Sequence, residues 1–170
     1  MRYNISAKVT GNDKNLLKVF MTLFEKSYVE VAEKTAKQAA TDMAHELRSR
    51  IENQRFRHQP LTPGYLQYKL MNHLDPRILI ATGDYVNSII PHRIRRGVWG
   101  VGVENRNHID SDIPLRVLAR WLEFGTSKSP ARPHWRPMIA IWKASSARVA
   151  KRLRENLDKD LKHRIHQSRR

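Results

Sequence analysis

The spacing of apolar residues predicts one long helix near the start of the chain. Between Lys14 and about Gln54 there is no Gly or Pro, and apolar or small residues recur every three or four positions. These residues are Leu16, Phe20, Phe24, Tyr28, Val31, Thr35, Ala39, Met43, Leu47 and Ile51. An unbroken helix of this length would span about 60 Å, more than the width of a compact domain of this size. We therefore expect it either to break within 35–41 or to project and pack on a neighbour.

Shorter elements are predicted on both sides of this helix. Apolar residues occupy every second position from Tyr3 to Val9, which is typical of a β-strand. Residues 65–74 are predicted to form a short helix that ends before Asp75-Pro76. Thr82 or Asp84 is placed to cap a further helical turn, because a short side-chain oxygen can accept from the free N–H groups of a first turn.

A β-hairpin is predicted at residues 89–104. Two apolar stretches flank the turn Arg95-Arg96-Gly97, and a glycine at the bend is typical of hairpins. In the second stretch Gly100 and Gly102 share one face of the strand. Glycines in a strand allow close approach, so we expect another backbone or a helix to lie against that face.

The region after the hairpin predicts a helix, a stiff loop and a second helix. Apolar residues follow Pro114 at helical spacing, and Gly125 is predicted to end this helix because Gly adopts left-handed backbone angles without a Cβ penalty. The prolines within 130–133 fix φ and remove backbone donors, which predicts an extended loop. Pro137 is predicted to open a last helix that runs to about Gln167.

Together these elements predict a single α+β domain. A small antiparallel sheet, made of the N-terminal strand and the 89–104 hairpin, would pack with the long N-terminal and C-terminal helices. At 170 residues, 40% of them hydrophobic, the chain can bury one sizeable core. The apolar seam of the C-terminal helix repeats every fourth residue and so drifts around the axis, which requires it to wrap or change its partner. We expect its distal part, about 150–170, to extend from the domain.

The net charge of +16 is unevenly distributed. Residues 13–54 carry equal numbers of basic and acidic side chains, whereas 55–170 carry a net charge of +14. Such a field favours DNA, RNA or an acidic protein surface, and it also favours solubility. The predicted hairpin tip brings together Arg93, Arg95 and Arg96, which would contact DNA phosphates or the carboxylates of an acidic partner, or remain in solvent.

No catalytic, cofactor or metal site is predicted, and we expect a protein that is not an enzyme. The chain has no Cys, which excludes disulfides, thiolate ligands and cysteine nucleophiles. It also lacks a His-Glu-x-x-His zinc motif, a phosphate-binding glycine loop and a nucleophile elbow. Asp110 and Asp112 supply too few oxygen ligands for a cation, and His163 and His166 lack a third ligand. The apolar runs predict neither a membrane span nor a signal peptide.

Glu123 is unusual for its position in the predicted helix. A carboxylate in the last helical turn faces the negative end of the helix dipole, which costs about 0.3–1 kcal/mol. Arg132 or Arg136 on the returning loop, or an arginine of a neighbouring subunit, would offset this cost as a planar, bidentate partner. The alternative is a solvated surface glutamate.

Two sequence motifs occur in order along the second half of the chain. Residues 79–89 read Leu-Ile-Ala-Thr-Gly-Asp-Tyr-Val-Asn-Ser-Ile, and residues 119–126 read Ala-Arg-Trp-Leu-Glu-Phe-Gly-Thr. The second motif continues with Pro-Ala-Arg-Pro at 130–133, an aromatic residue, Arg136-Pro137 and a long amphipathic helix. This pattern resembles the tail-completion or neck proteins of tailed bacteriophages, the group that includes the minor tail protein Z family. The resemblance covers roughly residues 60–145.

One departure from that pattern follows the Ala-Arg-Pro element. Members of the group often carry an aliphatic residue or Phe there, whereas this chain has His134-Trp135. The resemblance implies a structural protein of the virion, assembled in the host cytoplasm and located at the head–tail junction or the top of the tail. It also implies a homo-oligomeric ring, sixfold to match the tail tube, that contacts the tail terminator, tail tube or connector and leaves a basic lumen for DNA.

A closed ring requires heterologous contacts between copies of the chain. The candidate residues for a subunit or partner interface are Glu123, Phe124, Gly125, Thr126, Arg132, Pro133 and Trp135. The alternative function is sequence-independent nucleic-acid binding through the hairpin tip and the C-terminal helix.

Overall fold

The computed structural model describes residues 13–167, which form six helices and a two-stranded antiparallel sheet. The helices are α1 (Asp13–Glu52), α2 (Pro63–Met71), α3 (Asp84–Asn87), α4 (Leu115–Phe124), α5 (Trp135–Ala144) and α6 (Ser146–Gln167). The strands β1 (Ile89–Arg95) and β2 (Val98–Val103) form the predicted hairpin. The α+β class is confirmed, while the strand predicted between Tyr3 and Val9 lies outside the described residues.

Helix α1 is continuous, so of the two alternatives raised for it the break within 35–41 was wrong. Helix α6 lies antiparallel along it and supplies partners on both sides of that region. Asn156 Nδ2 donates to Thr35 Oγ1 at 3.1 Å, and Arg152 Nη1 donates to Asp42 Oδ2 at 2.7 Å. Further along the pair, Arg164 joins Glu30. Because tertiary contacts stabilise a helix more than its own propensity does, α1 remains intact over this length.

The core forms where the C-terminal half of α1 meets the segments from the rest of the chain. The largest fully buried apolar side chains are Leu47, Ile51, Ile89, Leu115 and Met138. They come from α1, β1, α4 and α5, so burial ties both sequence motifs to the same helix. Each such side chain contributes about 1.5–3 kcal/mol through removal of apolar surface from water.

The hairpin packs on α1 through the face that carries Trp99. Glu33 of α1 accepts from the Trp99 indole Nε1 at 3.0 Å and from Arg93 Nε at 2.8 Å, and it also accepts from the backbone N–H of Gly97. The N–H of Gly97 is the largest influence that lowers the pKa of the Glu33 carboxyl. The hairpin tip is therefore attached to the middle of α1.

The opposite face of the hairpin differs from the prediction. We expected a backbone or a helix against Gly100 and Gly102, but the neighbour is the His92 side chain of the paired strand. A Cβ added at Gly102 would lie 3.1 Å from the His92 ring, and one added at Gly100 would lie 3.0 Å from Ile94 Cδ1. The glycines thus make room for side chains of β1 in the same sheet.

The predicted C-terminal helix is two helices in the structure. Helix α5 begins at Trp135, earlier than the predicted start at Pro137, and the chain bends at Ser145 before α6. The Ser145 hydroxyl donates to the carbonyl of Ile141 at 3.1 Å, a contact that competes with regular helical bonding. Because α5 packs into the core through Met138 whereas α6 follows α1, the bend lets the apolar seam change partner.

Candidate subunit and partner interface

Glu123 joins the end of α4 to the start of α5. Its side chain is buried, with 4% of its surface exposed. Oε2 accepts from the backbone N–H groups of His134 at 2.8 Å and Trp135 at 2.9 Å. Oε1 accepts from the backbone N–H of Arg136 at 3.1 Å and from its Nε at 3.0 Å. The carboxylate therefore caps α5, where the positive end of the helix dipole favours a negative charge.

This arrangement decides between the alternatives raised for Glu123. Glu123 is not a solvated surface glutamate. Its arginine partner within the chain is Arg136, whereas Arg132 does not pair with it. Burial alone would raise the pKa of the Glu123 carboxyl, but three backbone N–H groups and Arg136 outweigh it and hold the pKa below its usual value. Glu123 is thus buried and holds the returning loop in place through these hydrogen bonds.

Gly125 makes the turn between α4 and the loop, as the sequence predicted. Its φ is +78°, and its N–H donates to the Trp121 carbonyl at 2.7 Å. A Cβ at this position would lie 2.8 Å from the backbone nitrogen of Ala131, so no side chain fits. The loop is closed further by Thr126, whose Oγ1 accepts from the N–H of Ser129 at 3.1 Å. Internal contacts therefore fix the shape of the loop.

A buried hydrogen-bond chain connects the two sequence motifs. His134 Nδ1 donates to the Arg132 carbonyl at 2.8 Å, since a carbonyl can only accept. His134 Nε2 is then the acceptor for the Tyr85 hydroxyl at 2.6 Å, and the Tyr85 oxygen accepts from Trp135 Nε1 at 3.1 Å. Burial lowers the pKa of His134 and raises that of Tyr85, so both groups are neutral at pH 7.

The candidate interface residues differ in how much surface they present. Phe124 is 62% exposed, and the Arg136 guanidinium lies 5.0 Å from the centre of its ring. Thr126 is also exposed, whereas Gly125, Arg132, Pro133 and Trp135 are partly exposed and Glu123 is buried. The structure thus brings all seven candidates into one loop and its flanks, with Phe124 as the largest exposed apolar side chain among them.

A cleft of about 630 Å³ opens beside this loop. We call it the Arg132 cleft. It lies between α2, the segment 79–83, α4 and the loop 126–132, and the side chains that line it are Gln59, Pro60, Leu61, Thr62, Tyr65, Lys69, Leu79, Ile80, Ala81, Thr82, Tyr85, His108, Leu118, Trp121, Leu122, Thr126, Lys128, Ser129, Pro130 and Arg132. Its size is within the range of ligand-binding clefts in proteins.

Sequence reasoning missed the contribution of α2 to this cleft. Lys69 is 2% exposed, and its Nζ donates to the carbonyls of Asp75 and Arg77, each at 2.8 Å, and to that of Ile80. Burial lowers the pKa of Lys69, and the three carbonyls fix the segment that follows α2. The sequence did contain a signal for this, because apolar residues occupy most of the circumference of α2. These residues are Tyr65, Leu66, Tyr68, Leu70 and Met71, and all five are exposed in the structure.

The hairpin tip presents two of its three predicted arginines without a partner. Arg93, Arg95 and Arg96 are all exposed, and Arg93 pairs with Glu33. Among the residues whose side chains the structure describes, Arg95 and Arg96 have no acceptor. The side chains of His163 and His166 are exposed as well.

Asp84, which belongs to the 79–89 motif, has a structural role. It accepts from both terminal nitrogens of Arg106, at 2.6 and 3.1 Å, and from the Ile109 N–H at 3.0 Å. The cap predicted at Thr82 or Asp84 was wrong, because Gly83 is the N-cap of α3 and makes no side-chain cap; Thr82 Oγ1 accepts from the N–H of Asp84, at 3.3 Å. Among residues 13–167 there is no group of three or more His, Asp or Glu side chains arranged to hold a metal ion.

Comparisons with known proteins add no identification. No family model, curated protein or solved structure matches this chain. In the part of the chain that the structure describes, no helix combines the length and apolar character needed to cross a membrane.

Proposed function

We propose that this protein is a structural virion component of a tailed bacteriophage, a tail-completion or neck protein that forms a ring between the tail end and the head–tail connector. The proposal comes from the resemblance of residues 79–89 and 119–137 to that group. The observation that carries it is the contact between these two stretches, because Tyr85 of the first bonds both His134 and Trp135 of the second. The motifs therefore belong to one structural unit.

The surface beside that unit supports a role in assembly. Phe124 and Trp121 lie in the last turn of α4 and expose 62% and 42% of their surfaces. Exposed apolar surface that flanks a fixed polar loop is typical of protein interfaces. Since internal hydrogen bonds already order the loop, contact with another copy would cost little additional conformational entropy.

The test is the mass of the purified full chain in native mass spectrometry, combined with negative-stain images. A single ring species, expected to contain six copies, would support the proposal. Phe124→Ser should shift the mass towards the monomer without lowering the melting temperature. Ile94→Ser is the matched control, since Ile94 is also 62% exposed but lies on the hairpin. A wild-type chain that stays monomeric at all concentrations would contradict the proposal.

A second candidate function is sequence-independent nucleic-acid binding, which the exposed and unpaired Arg95 and Arg96 favour. Duplex DNA binding by the isolated protein should then weaken steeply with salt and not depend on sequence. Replacing both arginines with Ala should reduce the salt dependence by roughly one unit of slope for each phosphate that the variant no longer neutralises. Absent binding, together with ring formation, would favour the virion role.

A further inference from the structure

The Arg132 cleft has an unbalanced charge. Its lining includes Lys69, Lys128 and Arg132 but no Asp or Glu. Lys69 is committed to three carbonyls and contributes only its field, whereas Lys128 is exposed at the rim. Within a cleft whose walls are apolar, such a field is weakly screened and favours a negatively charged ligand.

Arg132 is a partly buried cation of this cleft whose guanidinium lacks an acceptor among the described residues. Its Nε is shielded from solvent and has no hydrogen-bond partner, and no described side chain pairs with its terminal nitrogens. The ionisable groups that interact with its charge are His58, whose pKa is lowered by burial, and Lys69, and neither carries a negative charge. Seven other arginines of residues 13–167 are paired with carboxylates: Arg50, Arg77, Arg93, Arg106, Arg136, Arg152 and Arg164. Because Arg132 lines the cleft and its terminal nitrogens have no acceptor among the described side chains, an incoming carboxylate would be stabilised by charge-assisted hydrogen bonds.

The backbone holds Arg132 in a fixed position at the cleft. Its N–H donates to the Leu122 carbonyl at 2.7 Å, and its carbonyl accepts from His134 Nδ1 at 2.8 Å. The lining also includes apolar and aromatic side chains, among them Tyr65 and Trp121. A ligand that fills the cleft therefore needs a carboxylate together with an apolar group.

We infer that the Arg132 cleft binds an extended segment of a partner protein in which a carboxylate lies beside an apolar side chain. The inference names the chemistry of a partner for the proposed ring, but the charge and lining of the cleft carry it without the ring. The terminal segments of this chain do not suit the cleft, because residues 1–12 and 168–170 each contain two basic and no acidic side chains. For the cleft itself, a segment from an acidic partner is better suited than a segment from residues 55–170 of another copy, because those residues carry a net charge of +14.

The test uses the immobilised full-length protein and a random heptapeptide library. Sequences that combine Asp or Glu with Leu, Phe, Tyr or Trp should be enriched. In fluorescence anisotropy, a labelled peptide from the enriched set should bind at least about tenfold more weakly when its acids are replaced by amides, and likewise when the protein carries Arg132→Met. Arg116→Met is the matched control, since it removes the same charge from an exposed position of α4 and should leave binding unchanged.

Four results would overturn the inference. The first two are a library that shows no enrichment of acidic peptides and peptide binding that Arg132→Met does not weaken. The third is competition by millimolar inorganic phosphate, which would indicate a simple anion site. The fourth is a lower oligomer mass in Arg132→Met, which would indicate a contact between copies. Arg132→Lys should retain part of the binding and shows that a variant can fold. The native mass of the wild type distinguishes failure of this inference from failure of the proposed function. A ring that binds no peptide would contradict only the inference. A monomer that binds the peptide would contradict only the ring.

Discussion

Glu123 and Arg132 lie at the two ends of the same loop, but only the Glu123 charge has hydrogen-bond partners within the described chain. Glu123 is enclosed, and both of its oxygens accept from the start of α5. Arg132 lines an open cleft, and its guanidinium has no acceptor among the described residues. The difference indicates that one charge builds the loop whereas the other remains available for contact with another molecule.

Replacing Glu123 should have the largest effect on stability. Glu123→Ala leaves three buried backbone N–H groups without an acceptor, and we expect the free energy of unfolding to fall by about 3 kcal/mol. Urea denaturation measures this loss. Glu155→Ala is the control, because Glu155 is exposed and its nearest cation, Lys151, lies 3.9 Å away. Equal stability of the two variants would show that Glu123 does not hold the loop.

Gly125→Ala should be the next most damaging change. The added Cβ would approach the backbone nitrogen of Ala131 at 2.8 Å, and φ is +78°. We expect a loss of about 2 kcal/mol in the free energy of unfolding. Gly64→Ala is the matched control, because nothing lies within 4 Å of its Cβ position and its φ is not positive. A Gly125→Ala variant as stable as Gly64→Ala would contradict the described turn.

The buried His134 should make stability depend on pH. Burial holds its pKa below the ordinary value of 6.5, so the unfolded chain binds the proton more readily. The stability contribution is therefore complete above pH 6.5 and is lost as the pH falls below 6.5, with a slope of up to about 1.4 kcal/mol per pH unit for one group. Burial lowers the pKa of His58 as well, which adds to the same trend.

Urea denaturation at several pH values between about pH 5 and pH 8 measures this slope. His134→Phe should reduce the slope while lowering stability at pH 7, because the Tyr85 hydroxyl loses its acceptor. His73→Gln is the control, since His73 is exposed and lies outside the network. A wild-type slope that His134→Phe leaves intact would place the pH dependence elsewhere.

Arg136→Met should have the smallest effect. Arg136 is 62% exposed, and its pair with Glu123 is screened by solvent, so we expect a loss of about 0.5 kcal/mol. The carboxylate keeps its three backbone donors in this variant. Urea denaturation of Arg136→Met beside Glu123→Ala therefore separates the backbone contacts from the ion pair. Equal losses would show that the ion pair, and not the cap, holds the loop.

Local signals were sufficient for the elements that one short stretch determines. The hairpin and the end of α4 at Gly125 follow from a glycine at each bend, and the structure confirms both. The sequence also offered Arg136 as a partner for Glu123, but it did not distinguish Arg136 from Arg132 or from an arginine of a neighbouring subunit. The three backbone N–H donors to Glu123 could not be predicted. They reach the carboxylate only because the loop folds back, and the spacing of residues in a sequence does not give the distance between atoms of separate segments.

Other features depended on tertiary contacts that the spacing of residues does not encode. The seam of the C-terminal helix continues through Ser145, so nothing in its period marks the bend between α5 and α6. Lys69 looked like an ordinary helical lysine, yet three carbonyls from a later segment surround its amine. Continuity of α1 likewise depends on α6.

The most direct test of the account is an electron cryomicroscopy map of the assembled protein. Internal contacts fix the loop after Gly125, and we propose that its outer face meets other chains. We expect a ring in which Phe124 and the 126–131 loop are covered by a neighbouring copy. A map in which residues 121–132 touch no other chain would contradict it.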